Sequence, residues 1–196
     1  MRSTPVVLTI LLVAVVGCAA KEQLITKNAV VPAGIDLSGR WELRDAGADT
    51  TRRIDAAERR AAGDLEDIVR ASRRNSRTRP TRRKAGPLVH VFLETGKSLK
   101  ITQTEHGLFI SFDRAIVEEY LFGEHRVANV GPIMAERVSG WENLDYVIET
   151  QDEDGGKLIE TYSLAENSAV LIRDITVLQN QKQELAIQQV FDRVIE

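Results

Sequence analysis

Residues 144–178 read LDYVIETQDEDGGKLIETYSLAENSAVLIRDITVL, and their reading decides the fold. Three runs rich in apolar and β-branched residues, LDYVIETQ, KLIETYSL and AVLIRDITVL, are set apart by polar punctuation. Asp154-Gly155-Gly156 divides the first run from the second, and glycine supplies the backbone freedom that a tight connection needs. Short alternating runs joined by such turns predict antiparallel hairpins. The same texture extends outward: LVHVFLE, SLKITQT, GLFISFD, IVEEYLF and RVSGW precede this stretch, and LAIQQVFDRV follows it. Residues 35–45 (IDLSGRWELRD) form an outlying strand with Leu37, Trp41 and Leu43 on one face. Nine or ten short strands predict a mainly β chain, an antiparallel barrel or sandwich.

Residues 46–86 interrupt this pattern. Ile54, Ala57, Ala61, Leu65 and Ile68 recur at spacings of three and four, which predicts an amphipathic helix from about Thr51 to Ser72. Asp55–Arg59, Arg60–Asp64 and Glu66–Arg70 are opposite charges one turn apart. The helix runs into a block with no acidic residue whose basic side chains are Arg70, Arg73, Arg74, Arg77, Arg79, Arg82, Arg83 and Lys84. So dense a block of one sign is read as a solvated loop and as a candidate patch for an anionic partner.

The N-terminus carries the address. Arg2 precedes an apolar run from Val6 to Val16 that is too short to cross about 30 Å of hydrocarbon and is read as a secretory signal. Val15-Val16-Gly17-Cys18 resembles the lipobox of bacterial lipoproteins, with the only cysteine of the chain at the position that is lipidated. That resemblance implies acyl chains on Cys18, permanent membrane attachment and cleavage after residue 17. Ala19 in place of Asp implies sorting to the outer membrane, with the protein facing the periplasm. The expected organisation is therefore a signal peptide over 1–17, a tether over 18–34, the first barrel strand at 35–45, a helical and Arg-rich insertion over 46–86, and the remainder of the barrel over 87–196.

Gly39-Arg40-Trp41 at the start of the first strand resembles the Gly-x-Trp signature of lipocalins, barrels with a ligand calyx. In that family an arginine near the chain end packs over the tryptophan, and Arg193 is the matching position. Leu99–Gln103, Gly140-Trp141 and Glu160–Leu164 also resemble uncharacterised lipocalin-like domains of bacterial secreted proteins. The resemblance covers 35–45 and 87–196; the forty-residue insertion departs from it. It implies an antiparallel lipocalin-like barrel of about 8–10 strands, with Trp41 and Arg193 as its closing pair.

The composition, 43% hydrophobic and 28% charged with a net charge of -3, excludes a wholly disordered chain and a multi-spanning membrane protein. The charge is uneven: residues 88–196 carry nineteen acidic and nine basic side chains, residues 19–87 ten and sixteen. Chemistry is hard to find. His90, His106 and His125 lack metal-ligand spacing and read as ordinary surface or strand residues. No Gly-x-Ser-x-Gly occurs, and Glu118 and Glu119 must face opposite sides of a strand. Asp152-Glu153-Asp154 reads as an acidic hairpin turn and not a calcium loop. No catalytic residue, metal or cofactor is expected, and nucleic acid is set aside because it fits the address poorly. The expected function is a non-enzymatic, membrane-anchored module binding a small apolar or amphiphilic ligand or an anionic envelope component. The alternative is a structural or assembly lipoprotein with a solid core that docks a partner through its Arg-rich segment.

Overall fold

The strands pair with their sequence neighbours except at one point, between the fourth and the fifth, and the first also pairs with the last. The computed structural model describes residues 23–44, 47–73 and 88–195. It contains β1 (Gly39–Leu43), β2 (Ser98–Gln103), β3 (Gly107–Phe112), β4 (Ile116–Leu121), β5 (Glu124–Val130), β6 (Ile133–Glu142), β7 (Asp145–Asp152), β8 (Gly156–Ala165), β9 (Val170–Gln179) and β10 (Lys182–Arg193). Every ladder is antiparallel, and the order around the sheet is β4-β3-β2-β1-β10-β9-β8-β7-β6-β5. The first strand pairs with the last, so the sheet curls into a nearly closed barrel, and the mainly β, ten-stranded fold is as expected. Alternation sets the two faces: along β9, Leu171, Arg173, Ile175 and Val177 are buried inside while Asp174 points to water.

Two elements differ from the sequence reading, and the differences cancel in the strand count. LVHVFLE is not a strand; Leu88–Phe92 forms a 3-10 turn. Its backbone is held at the barrel rim, where Val89 N–H donates to the Asp152 carboxylate at 3.0 Å. The strand that replaces it is β5, whose HRVANV text lacks an apolar stripe and whose burial alternates only between partial and exposed.

α1 (Gly47–Arg73) follows β1 and begins a few residues earlier than its periodicity indicates. Ile54 and Ala57 are buried, and Leu65 and Ile68 pack partly against the same cluster. With Val89, Phe92 and Leu93 they cover one barrel end, against Ile133, Leu158, Ile175, Val177, Leu185 and Ile187. α1 is thus a lid over that end. Arg70 extends from it to Glu66 and Asp67, whereas Arg74, Arg77, Arg79, Arg82, Arg83 and Lys84 lie outside the described residues, as does Cys18.

The other end is closed by the chain before β1. The stretch expected as a tether is, in its described part, laid against the barrel. Leu24 is buried, Asn28 exchanges both backbone hydrogen bonds with Trp141, and Leu37 sits in the core with Val31 and Ile35 beside it. Lys27 bonds Glu142 at 2.5 Å and Glu149 at 2.8 Å, and Lys157 meets Glu149 from the other side at 2.9 Å. Burial opposes charge on Lys27 and Glu149, but these mutual bonds outweigh it, raising the Lys27 pKa and lowering that of Glu149. Gly140, at φ +153°, allows this approach: a Cβ there would stand 2.6 Å from the Asn28 carbonyl.

Trp41 and Arg193 are register partners of β1 and β10. The guanidinium lies 4.1 Å from the Trp41 ring centroid and donates to the Ser38 carbonyl at 2.6 Å and the Ser168 carbonyl at 2.8 Å. Gly39 explains the first letter of Gly-x-Trp, because a Cβ at its φ of +148° would meet Arg193 Nη1 at 2.6 Å. Arg193→Ala is expected to cost about 2–3 kcal/mol, from the lost cation–π contact and the two carbonyls left without donors. Urea denaturation checks this, and Arg193→Lys should recover only part because it lacks the planar fork.

Candidate functional site

The barrel interior is the candidate site, and its wall is incomplete. No ladder joins β4 to β5, although only Phe122 and Gly123 separate them in sequence. Side chains span this seam in place of backbone pairs. Arg126 donates to the Glu119 carbonyl at 2.8 Å, Ser139 to the Leu121 carbonyl at 2.8 Å, and Arg137 meets Glu118 at 3.3 Å. The outer lips are apolar: Val117 is 64% exposed on β4 and Val127 59% on β5. Glu118 and Glu119 take opposite faces as strand geometry requires, Glu118 inward to Arg137 and Glu119 outward.

Inside, two apolar clusters are separated by a polar layer. Toward the closed end lie Trp41, Phe112, Tyr120, Tyr146, Tyr162, Phe191 and Trp141; toward the lid lie the aliphatic residues already named. Arg173, fully buried, bonds Glu160 from β8, the Gln189 amide oxygen at 3.1 Å from β10 and the Glu94 carbonyl at 2.8 Å. Its guanidinium faces the rings of Tyr162 and, across the barrel, Phe112 at 5.1 Å. Arg137 donates to Thr150 at 2.9 Å and faces Tyr120 and Phe92. Burial raises the pKa of all three tyrosines, which remain neutral phenols.

Several buried polar atoms, in the barrel and at its lidded rim, have no hydrogen-bond partner among the described residues: both ring nitrogens of His90, Arg126 Nε, Trp141 Nε1, Gln151 Oε1 and Arg173 Nε. Buried polar groups in folded proteins are nearly always matched, so each of these calls for a water or a ligand atom. The sequence marks His90 as an ordinary surface or strand residue, yet it lies in the 3-10 turn at 3% exposure. His106 and His125 are surface residues, His125 within 3.6 Å of Glu136. Asp152 is spent on backbone N–H groups of Val89, Asp154 and Gly156, and burial raises its pKa despite them. Among the described residues no cluster of His, Cys, Asp and Glu is placed to hold a metal.

Two clefts of about 340 and 360 Å³ lie on the outer face of the β1–β2 region and share Arg40 and Lys100. Their outward-facing lining, with Glu42, Ser111 and Arg114, belongs to the solvent side of the sheet.

No family model matches the chain, and no curated protein does. Among solved structures, one described as the REP1-NXSQ fatty acid transporter is 9% identical, with a TM-score of 0.49, over 82% of this chain and 98% of its own. Lipid binding protein 8 of Caenorhabditis elegans is 11% identical at a TM-score of 0.49, over 83% and 100%. Secretory abundant heat soluble protein 4 of Ramazzottius varieornatus is 12% identical at 0.46, over 89% and 100%. The barrel assignment rests on the strand order and register of this chain.

His90 makes the lid sensitive to acid. Burial, with the positive charge of Arg60 adding to it and Glu184 opposing, lowers its pKa from 6.5 to about 4. The folded state favours the neutral ring, so its contribution is complete above pH 6.5 and is lost as the pH falls toward 4. The full loss is at most about 3 kcal/mol. His90→Leu is expected to lose less stability than the wild type between pH 7 and pH 4, as read by urea midpoints at each pH. Parallel curves for the two proteins would show that His90 is not protonated on unfolding.

Proposed function

We propose that this protein is a lipid-anchored lipoprotein of the cell envelope, attached through Cys18, whose barrel binds a small apolar or amphiphilic molecule without transforming it. The observation that carries the binding reading is the set of buried polar atoms without hydrogen-bond partners, within and at the rim of a barrel whose wall is incomplete between β4 and β5. A sealed structural core has no use for such atoms, since each costs about 1–3 kcal/mol when left without a partner. The apolar lips of Val117, Leu121 and Val127 give the seam a surface along which an apolar molecule can pass. The address rests on the lipobox-like Val15-Val16-Gly17-Cys18, with outer-membrane attachment supported by Ala19.

One observation favours the second reading, a solid barrel that docks an anionic envelope partner through its Arg-rich segment. Nine of the ten aromatic side chains point inward, all but Phe109, and Arg173 reaches Phe112 across the barrel. Native mass spectrometry of the membrane-extracted full chain separates the two. A carrier is expected to show an added small-molecule mass that disappears on denaturation. A ligand-free mass together with failure to take up the neutral dye Nile red would leave the docking reading. For the address, Cys18→Ala is expected to move the protein from the membrane fraction to the soluble envelope fraction; unchanged sedimentation with membranes would overturn lipidation.

A further inference from the structure

The inward-facing guanidiniums of β5, β6 and β9 share one property: each already has its own glutamate. Arg173 holds Glu160, Arg137 meets Glu118 at 3.3 Å, and Arg126 meets Glu124 at 3.5 Å. The first pair is almost completely shielded from water, with side-chain exposures of 0% and 2%. Arg193, the remaining arginine near the interior, is taken up by the Trp41 ring and two carbonyls at the closed end. Among the described residues, an ionised carboxylate entering this space would find every inward guanidinium already facing a glutamate. If it took Arg173 from Glu160, it would leave Glu160 as an unanswered buried anion, so the exchange gains nothing.

The buried atoms without a hydrogen-bond partner among the described residues are single donors and acceptors on separate side chains. Trp141 Nε1, Arg126 Nε and Arg173 Nε are single N–H donors, the two arginine atoms on guanidiniums whose charge is already met by a glutamate; Gln151 Oε1 is an acceptor, and His90 presents one donor and one acceptor. Such atoms suit a hydroxyl, an ester or an amide. We infer that the barrel takes an uncharged amphiphile, an apolar body carrying a hydroxyl, ester or amide, and rejects the same body when it ends in an ionised carboxylate. This inference rests on the binding reading proposed above and names its ligand class.

Oleyl alcohol, methyl oleate and oleic acid share one chain and differ at the head, so their displacement of Nile red from the full-length protein tests the inference. At mildly alkaline pH, where the acid is ionised, the alcohol and the ester are expected to displace the dye, and the acid to bind about tenfold or more weakly. Glu160→Gln releases Arg173 and should bring acid binding to at least the level of the alcohol. The paired variant Glu160→Gln/Arg173→Gln removes both charges, should bind the alcohol, and should still reject the acid. If Glu160→Gln does not fold, rejection of the acid by both the wild type and the paired variant carries the inference. Equal binding of acid and alcohol by the wild type would overturn it, as would a folded Glu160→Gln with no gain for the acid. Failure of the protein to take up Nile red or any of the three oleyl probes is a different result and would overturn the binding reading itself.

Discussion

A fully buried guanidinium needs a counter-charge and acceptors, and Arg173, both of whose terminal nitrogens are bonded, organises the interior around that requirement. Glu160 on β8 and Gln189 on β10 reach it from the strands that flank β9, while the Glu94 carbonyl comes from the chain beyond the 3-10 turn. Phe112 reaches it from β3, across the barrel. One charge thus ties the lid connection, three consecutive strands and the opposite wall together. Removing one partner of such a pair costs about 3–5 kcal/mol, yet replacing both by well-packed apolar residues is often neutral or stabilising. The pair is therefore a demanding constraint on the fold without being an efficient source of stability. Its positive contribution is selective: it places polarity in the centre of the barrel while leaving no net charge to attract an ion.

The wall closes and opens by different physics. Between β1 and β10 closure is by backbone ladder, reinforced by Trp41 and Arg193. Between β4 and β5 it depends on Arg126, Ser139 and the Arg137–Glu118 pair. Individual side-chain hydrogen bonds contribute only about 1 kcal/mol each, and each can break singly, whereas a ladder opens cooperatively. The seam is consequently the part of the wall that opens at least cost. It also carries exposed apolar side chains on both lips, so opening there presents an apolar molecule with an apolar path.

What the sequence makes legible follows the same division. Strands whose burial alternates, such as β8 and β9, announce themselves by the same alternation in their text. β5 escapes a reading by pattern because its inward residues, Glu124, Arg126, Ala128 and Val130, line the seam and the lid margin and are only half-buried, so no apolar stripe exists to be read. The 3-10 turn misleads for the opposite reason: Leu-Val-His-Val-Phe is apolar at the rim, where it packs under the lid helix and is held by the long-range bond from Val89 to Asp152, neither of which its text announces. Trp41 and Arg193 are nameable from Gly-x-Trp, but the interior pairing of Arg173 with Glu160 is not. Those two residues lie thirteen positions apart with nothing in their spacing to mark them, and only the β8–β9 register brings them together.

The bound course of the N-terminal segment alters the geometry of the proposed anchorage. A free tether over 18–34 would let the barrel roam far from the bilayer, but Lys27 and Asn28 are fixed to the β6–β7 wall. Gln23 is only five positions beyond a lipidated Cys18, a reach of roughly 17 Å at full extension. The same segment continues to the β4–β5 turn, where Ala29 packs so closely on Gly123 that a Cβ there would stand 2.9 Å away. Under the proposed lipidation, the end of the seam is thus held close to the membrane surface by a segment clamped through Lys27. An uncharged amphiphile already dissolved in the bilayer would then meet the opening of the barrel without crossing bulk water. That proximity is the advantage an anchored carrier has over a diffusing one.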